Sequence, residues 1–274
     1  MTTSSRPATG EHLISIGRQQ VRIRVFGETG GKAILFLHGW GCSADTMSGL
    51  ASSLGPGFYV VLPDFPGFGK TPPPTQAWDV SDYGTFVMQL KEKVFGNDII
   101  AVLAHSFGAR VMLKLLAAPE YAGAFGQILL TGGAGMKPKR SWRYYYRTAL
   151  AKVLKTPFQL LPAALREQGL SRLRKTAVWR SLGSSEYSQL SGVMREIFVK
   201  TVREYLEPCL PEIEHEVLLV WGLNDDATPL YQAERMEKGL KKGVLIKIES
   251  AGHYAFLDKP QQFAAIAKAY FESK

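Results

Sequence analysis

Apolar residues along this 274-residue chain follow two periods. Short runs rich in β-branched and apolar residues fill the first half: "HLISI", "VRIRVFG", "AILFLHG", "YVVLPDF", "DIIAVLAHS" and "QILLTGG", most of them closing on Gly, Pro or Asp. Near-continuous apolar runs of this length are expected of strands buried on both faces. Between the later runs, "WDVSDYGTFVMQLKEKVFG" and "FGARVMLKLLAAPE" space their apolar residues three to four apart, the helical period. Only "GRQQ" separates the first two runs, which predicts a hairpin and a sheet that begins antiparallel and continues parallel. After Gly135 the alternation gives way to basic, aromatic, helix-prone sequence until about Pro211. Then "EVLLVWG", "LYQAERMEKGLKKG", "VLIKIES" and "PQQFAAIAKAYFES" read as strand, helix, strand, helix. The expectation is an α/β fold: a mostly parallel, eight-stranded twisted sheet with helices on both faces, built from residues 1–135 and 211–274. A helical insertion over 136–210 follows the sixth strand.

Composition narrows the class. A hydrophobic content of 46% suffices for one large core. Cys42 and Cys209 lie far apart and offer neither a disulfide framework nor a zinc cluster, which points to a reducing compartment. The N-terminal stretch lacks an apolar signal region, and no apolar run approaches the roughly 20 residues of a bilayer span, so a soluble cytoplasmic protein is expected. The net charge of +9 is localised: residues 136–210 hold 15 Lys and Arg against 5 Asp and Glu, and the rest of the chain holds 18 against 19. The whole excess therefore belongs to the insertion.

Candidate chemistry sits at the strand ends. In "DIIAVLAHSFGARVMLKLL", Ser106 stands between a strand-like and a helix-like run, with Ala104 where the usual nucleophile pattern carries glycine. By itself such a serine is more commonly a helix N-cap. A serine nucleophile requires a base, a group that orients the base, and donors for the developing oxyanion. Asp225 follows one later strand, with Asp226 as its competitor, and His253 follows the last. His12, His38, His105 and His215 do not occupy that position. The backbone N–H groups of Trp40, on the loop "HGWG", and of Phe107 are the oxyanion donors expected. "DFPGFGKT" at 64–71 lacks the first glycine of a phosphate loop and runs into prolines, and "GGAG" at 132–135 lacks the third glycine of a dinucleotide fingerprint, so no nucleotide cofactor is expected.

Five motifs in this order, H-G-W-G at 38–41, D-x-P-G-x-G at 64–69, A-x-S-x-G at 104–108, G-x-x-D at 222–225 and G-H at 252–253, resemble the α/β-hydrolase superfamily, in particular its cap-bearing serine hydrolases. The resemblance covers nearly the whole chain. It implies that 136–210 form a cap, that Ser106, His253 and Asp225 hydrolyse a carboxylic ester through an acyl-enzyme, and that no cofactor or metal is needed. It also places His38, Gly39, His105 and Trp142 at the substrate pocket. A serine at the turn, rather than aspartate, sets the chain apart from the dehalogenase and epoxide hydrolase branches. H-G-W-G with a basic cap is similar to the pimeloyl-carrier-protein methyl ester esterases. The partners expected are a small-molecule ester and, at the basic segment, an acidic carrier protein or an anionic membrane surface, in a monomer or dimer; no nucleic-acid recognition motif is present. A C–C bond hydrolase and a non-catalytic binding protein of the same fold are the alternatives.

Overall fold

A computed structural model describes residues 6–139 and 192–273, with residue 190 and scattered residues between 142 and 176. Eight strands form one sheet: β1 (Gly10–Ile16), β2 (Gln19–Gly27), β3 (Lys32–Leu37), β4 (Phe58–Pro63), β5 (Ile100–His105), β6 (Phe125–Thr131), β7 (Glu216–Gly222) and β8 (Lys242–Ile248). Their order is β1-β2-β4-β3-β5-β6-β7-β8. The β1–β2 and β2–β4 pairs are antiparallel, the first as the short "GRQQ" connection requires, and the remaining pairs are parallel. Every residue of β4 and of β5 is buried, whereas β1 and β8 at the edges alternate toward solvent. Apolar runs thus sit where both faces are covered.

The labelled helices are α1 (Ala44–Ser53), α2 (Val80–Phe95), α3 (Phe107–Leu116), α4 (Gly192–Arg203), α5 (Leu230–Gly239), α6 (Ala255–Asp258) and α7 (Pro260–Glu272). Strand period two divides the core. Ile34, Phe36, Val60, Leu62, Leu103 and Val220 join Met47 and Leu50 of α1 and Phe263 and Phe271 of α7 in one cluster. Leu35, Val61, Val102 and Ile128, paired in register across the sheet, turn to the opposite face.

The pattern of apolar residues does not foreshadow α1. Its sequence, "ADTMSGLASS", is poor in strong helix formers. A capping box starts it instead: Ser43 Oγ accepts from the backbone of the first turn, and Thr46 Oγ1 accepts from Ser43 N–H at 3.3 Å. Asp64 adds a bond from outside the helix, its Oδ1 accepting from Ala44 N–H at 2.6 Å.

The chain divides into two compact units, Met1–Lys137 with Val199–Lys274, and Pro138–Phe198. Residues 199–210, assigned from sequence to the insertion, pack with the first unit. The physical reason lies on α3: Arg110 donates to the carbonyls of Thr201 and Glu204, and Lys114 pairs with the Glu204 carboxylate at 2.8 Å. The negative end of α4 meets two cations there. Among the described residues no helix is long and apolar enough to cross a membrane.

Candidate active site

Ser106 occupies the turn between β5 and α3, with φ 51° and ψ −104°. A non-glycine residue held there costs about 1–3 kcal/mol. Surrounding bonds offset that cost: Ser106 N–H donates to Thr131 O at 3.0 Å, while Arg110 N–H and Ala134 N–H both donate to Ser106 O at 3.1 Å. At roughly 1 kcal/mol net each, the three are of the same order as the strain. The Ser106 hydroxyl makes no capping bond to α3, so the N-cap role is not the one it plays. Close approach explains the neighbouring glycine, since a Cβ on Gly108 would lie 2.4 Å from the Leu37 carbonyl oxygen. Ala104 faces no such obstacle and is fully buried between Leu37 and Leu130.

His253 Nε2 lies 3.1 Å from Ser106 Oγ, and His253 Nδ1 lies 2.9 Å from Asp225 Oδ2. With Nδ1–H donating to the carboxylate, Nε2 presents its lone pair to the serine hydroxyl. Asp225 is buried, and its neighbour Asp226 is exposed. Oδ1 of Asp225 accepts from Ala227 N–H and Thr228 N–H at 2.9 and 2.8 Å, and Oδ2 accepts from Thr228 Oγ1–H at 2.8 Å. Burial by itself raises this carboxyl, but the bonds from His253 and Thr228 outweigh it and hold its pKa below the usual aspartate value. The turn is anchored in the core, where Trp221 Nε1–H donates to Thr228 O at 2.7 Å. Thr228 and Trp221 were not singled out from sequence; a hydroxyl residue three places after the acid, in "DDAT", is the signal that marks the first of them.

Trp40 and Phe107 approach each other across the mouth of the turn. Their rings meet edge-on at 5.4 Å, and Trp40 also meets Phe68 at 4.8 Å. Phe107 opens α3, so no carbonyl within the helix accepts its N–H. The loop bearing Trp40 is fixed by His38, whose Nδ1–H donates to Gly39 O at 2.7 Å while Nε2 accepts from Phe65 N–H at 3.0 Å. Burial holds His38 neutral, with its pKa lowered to about 4.

His38 and His105, expected at the substrate pocket, are both only 1% exposed. His105 Nε2–H donates to the His253 carbonyl at 3.0 Å, and burial lowers its pKa to about 3. Its Nδ1 is buried without a hydrogen bond and faces Gly39, where an added Cβ would come within 2.8 Å of it. Gly39 contributes closeness: the same Cβ would lie 3.2 Å from Ser106 Cβ. Trp142 belongs to the second unit and is 72% exposed. Among the described residues no group of three His, Cys, Asp or Glu side chains is placed to hold a metal ion.

The arrangement is chemically a hydroxyl, an imidazole and a buried carboxylate in series, at the C-terminal ends of β5, β7 and β8. Similar proteins match most of this chain. The 2-hydroxy-6-oxo-6-phenylhexa-2,4-dienoate hydrolase of Burkholderia cepacia is 23% identical over 251 residues, covering 87% of each chain. The pimeloyl-[acyl-carrier protein] methyl ester esterase of Aromatoleum aromaticum is 24% identical over 262 residues, covering 85% of this chain and 95% of its own. Among solved structures, the 2-hydroxy-6-oxo-6-phenylhexa-2,4-dienoate hydrolase of Rhodococcus sp. strain RHA1 superposes with a TM-score of 0.69 at 22% identity, over 97% of this chain and 99% of that one. Residues 34–266, most of the sheet and the helices that cover it, match the alpha/beta hydrolase family, and the chain belongs to that family.

Proposed function

We propose that this hydrolase cleaves a carboxylic ester with Ser106 as nucleophile, His253 as general base and acid, and Asp225 as the group that orients and stabilises the imidazolium. The observation that carries the reading is the Ser106–His253–Asp225 series, with contacts of 3.1 and 2.9 Å, at a strained strand-to-helix turn. Ser106 Oγ attacks the ester carbonyl carbon while its proton passes to His253 Nε2. The carbonyl oxygen becomes an oxyanion held by the N–H groups of Trp40 and Phe107. Collapse of this intermediate breaks the C–O bond, and the leaving alkoxide takes the proton from His253. Water then gives a proton to His253 and attacks the acyl-enzyme, which releases the acid and restores Ser106. Asp225, held low in pKa by His253 and Thr228, stays ionised throughout.

One relative favours a second reading, C–C bond hydrolysis, since the Burkholderia cepacia protein bears the name of a 2-hydroxy-6-oxo-6-phenylhexa-2,4-dienoate hydrolase. The ester reading is preferred because a serine, a base and two oxyanion donors suffice for it. A panel of p-nitrophenyl esters of increasing chain length, with wild type and Ser106→Ala, separates the two. Serine-dependent turnover of at least one ester is expected. Its absence, with turnover of a 2-hydroxy-6-oxo-dienoate, would transfer the assignment to C–C cleavage.

A further inference from the structure

The second unit combines two features that the chemistry at Ser106 does not use. Between residues 139 and 180 the sequence carries eleven Lys and Arg and a single acid, Glu167. Lys139, Arg166 and Arg172 are exposed; Arg143, Arg147, Arg174 and Glu167 lie outside the described residues. The same stretch is apolar at its surface. Of the twelve large hydrophobic side chains left exposed among the described residues, five fall within 142–165: Trp142, Tyr146, Val153, Leu161 and Leu165. Residues 142, 146, 149 and 153 each have helical backbone and are exposed. Trp142, Tyr146 and Val153 are 72%, 64% and 65% exposed.

We propose that these exposed apolar side chains, with the exposed cations Lys139, Arg166 and Arg172, dock on an anionic lipid surface. The headgroup layer accepts both features at once: Trp and Tyr rings settle at the apolar boundary, and Lys and Arg meet lipid phosphates. An acidic protein satisfies the charge but leaves Trp142, Tyr146 and Val153 wet unless its own surface is shaped to cover them. Docking of this kind is independent of the reaction at Ser106 and stands whether the substrate is an ester or not.

The test uses the full chain with vesicles of phosphatidylcholine alone and of phosphatidylcholine containing phosphatidylglycerol. Binding to the anionic vesicles should exceed binding to the neutral ones by about tenfold or more, and fall as salt rises. A Tyr146→Glu/Val153→Glu variant should bind the anionic vesicles about tenfold more weakly, with its circular dichroism unchanged. In a second measurement, brominated phosphatidylglycerol should quench wild-type tryptophan fluorescence, and the conservative variant Trp142→Phe should lose most of that quenching. Equal binding to both vesicle types, no quenching, or undiminished binding by the double variant would overturn the proposal. So would binding of polyglutamate as tight as that of the anionic vesicles and insensitive to the double variant, which would assign these side chains to an acidic protein.

Discussion

His105 Nε2–H donates to the main-chain carbonyl of His253 at 3.0 Å, so the residue before Ser106 holds the loop that carries His253. The two rings also pack 4.7 Å apart. A protonated His105 would repel a protonated His253, and burial keeps His105 neutral, with its pKa lowered to about 3. His105→Phe removes the donor while keeping an aromatic ring. Loss of the bond should free the His253 backbone and lower kcat by about 10–100-fold with little change in KM, because placement errors near 1 Å cost about that much. An unchanged kcat would show that His105 only fills space.

Thr228 acts one step further out. Thr228→Val keeps the side chain's shape and removes the hydroxyl that donates to Asp225 Oδ2. A hydrogen bond to a charged group contributes about 1.5–3 kcal/mol, so kcat/KM should fall by roughly tenfold or more. The Asp225 carboxyl should also titrate higher than in wild type, since Thr228 helps to lower it. Steady-state kinetics across acidic pH check both, and a variant as active as wild type would contradict the role.

Buried neutral histidines give the fold an acid-sensitive window. His38 has a folded pKa lowered to about 4, below the unfolded value of about 6.5, so the unfolded chain binds the proton more readily between those values. Its contribution is fully present above about pH 6.5 and is lost as pH falls toward 4, on the order of 3 kcal/mol in all. Denaturant midpoints measured from pH 7.5 down to 4 should fall in this window. His38→Gln, whose Oε1 replaces the acceptor for Phe65 N–H, should make the decline shallower. An equal slope in the variant would place the acid sensitivity elsewhere.

Ala104 was the one departure inside the serine motif. It is fully buried in β5 with ordinary strand neighbours, whereas Gly108 is constrained by the Leu37 carbonyl. Ala104→Gly should therefore leave kcat/KM unchanged and lower stability by about 0.5–1 kcal/mol through added backbone entropy. Gly108→Ala should impair both folding and activity. The reverse ranking in thermal melts would refute this account of the turn.

The central strands were legible because each is an apolar run buried on both faces, and the edge strands β1 and β8 because their apolar residues recur between turn residues. Ser106, Asp225 and His253 were legible because they stand just past such ends, at 106, 225 and 253 in chain order. α1 was hidden because its start depends on side-chain capping by Ser43, Thr46 and Asp64, not on apolar period. His38 and His105 show the limit of reading chemistry from residue type: both are histidines beside a motif, and only the direction of their bonds reveals that they brace the loops. The attachment of residues 199–210 to the first unit rests on Arg110 reaching Thr201 and Glu204 across some 90 residues of sequence, which no local pattern encodes.

Labelling with a fluorophosphonate probe, followed by peptide mass spectrometry, tests the series Ser106–His253–Asp225 most directly. The expected result is one adduct at Ser106, absent in Ser106→Ala, and formed about a thousandfold more slowly or worse in His253→Ala. An adduct elsewhere, none at all, or one that forms at Ser106 equally fast without His253 would contradict it.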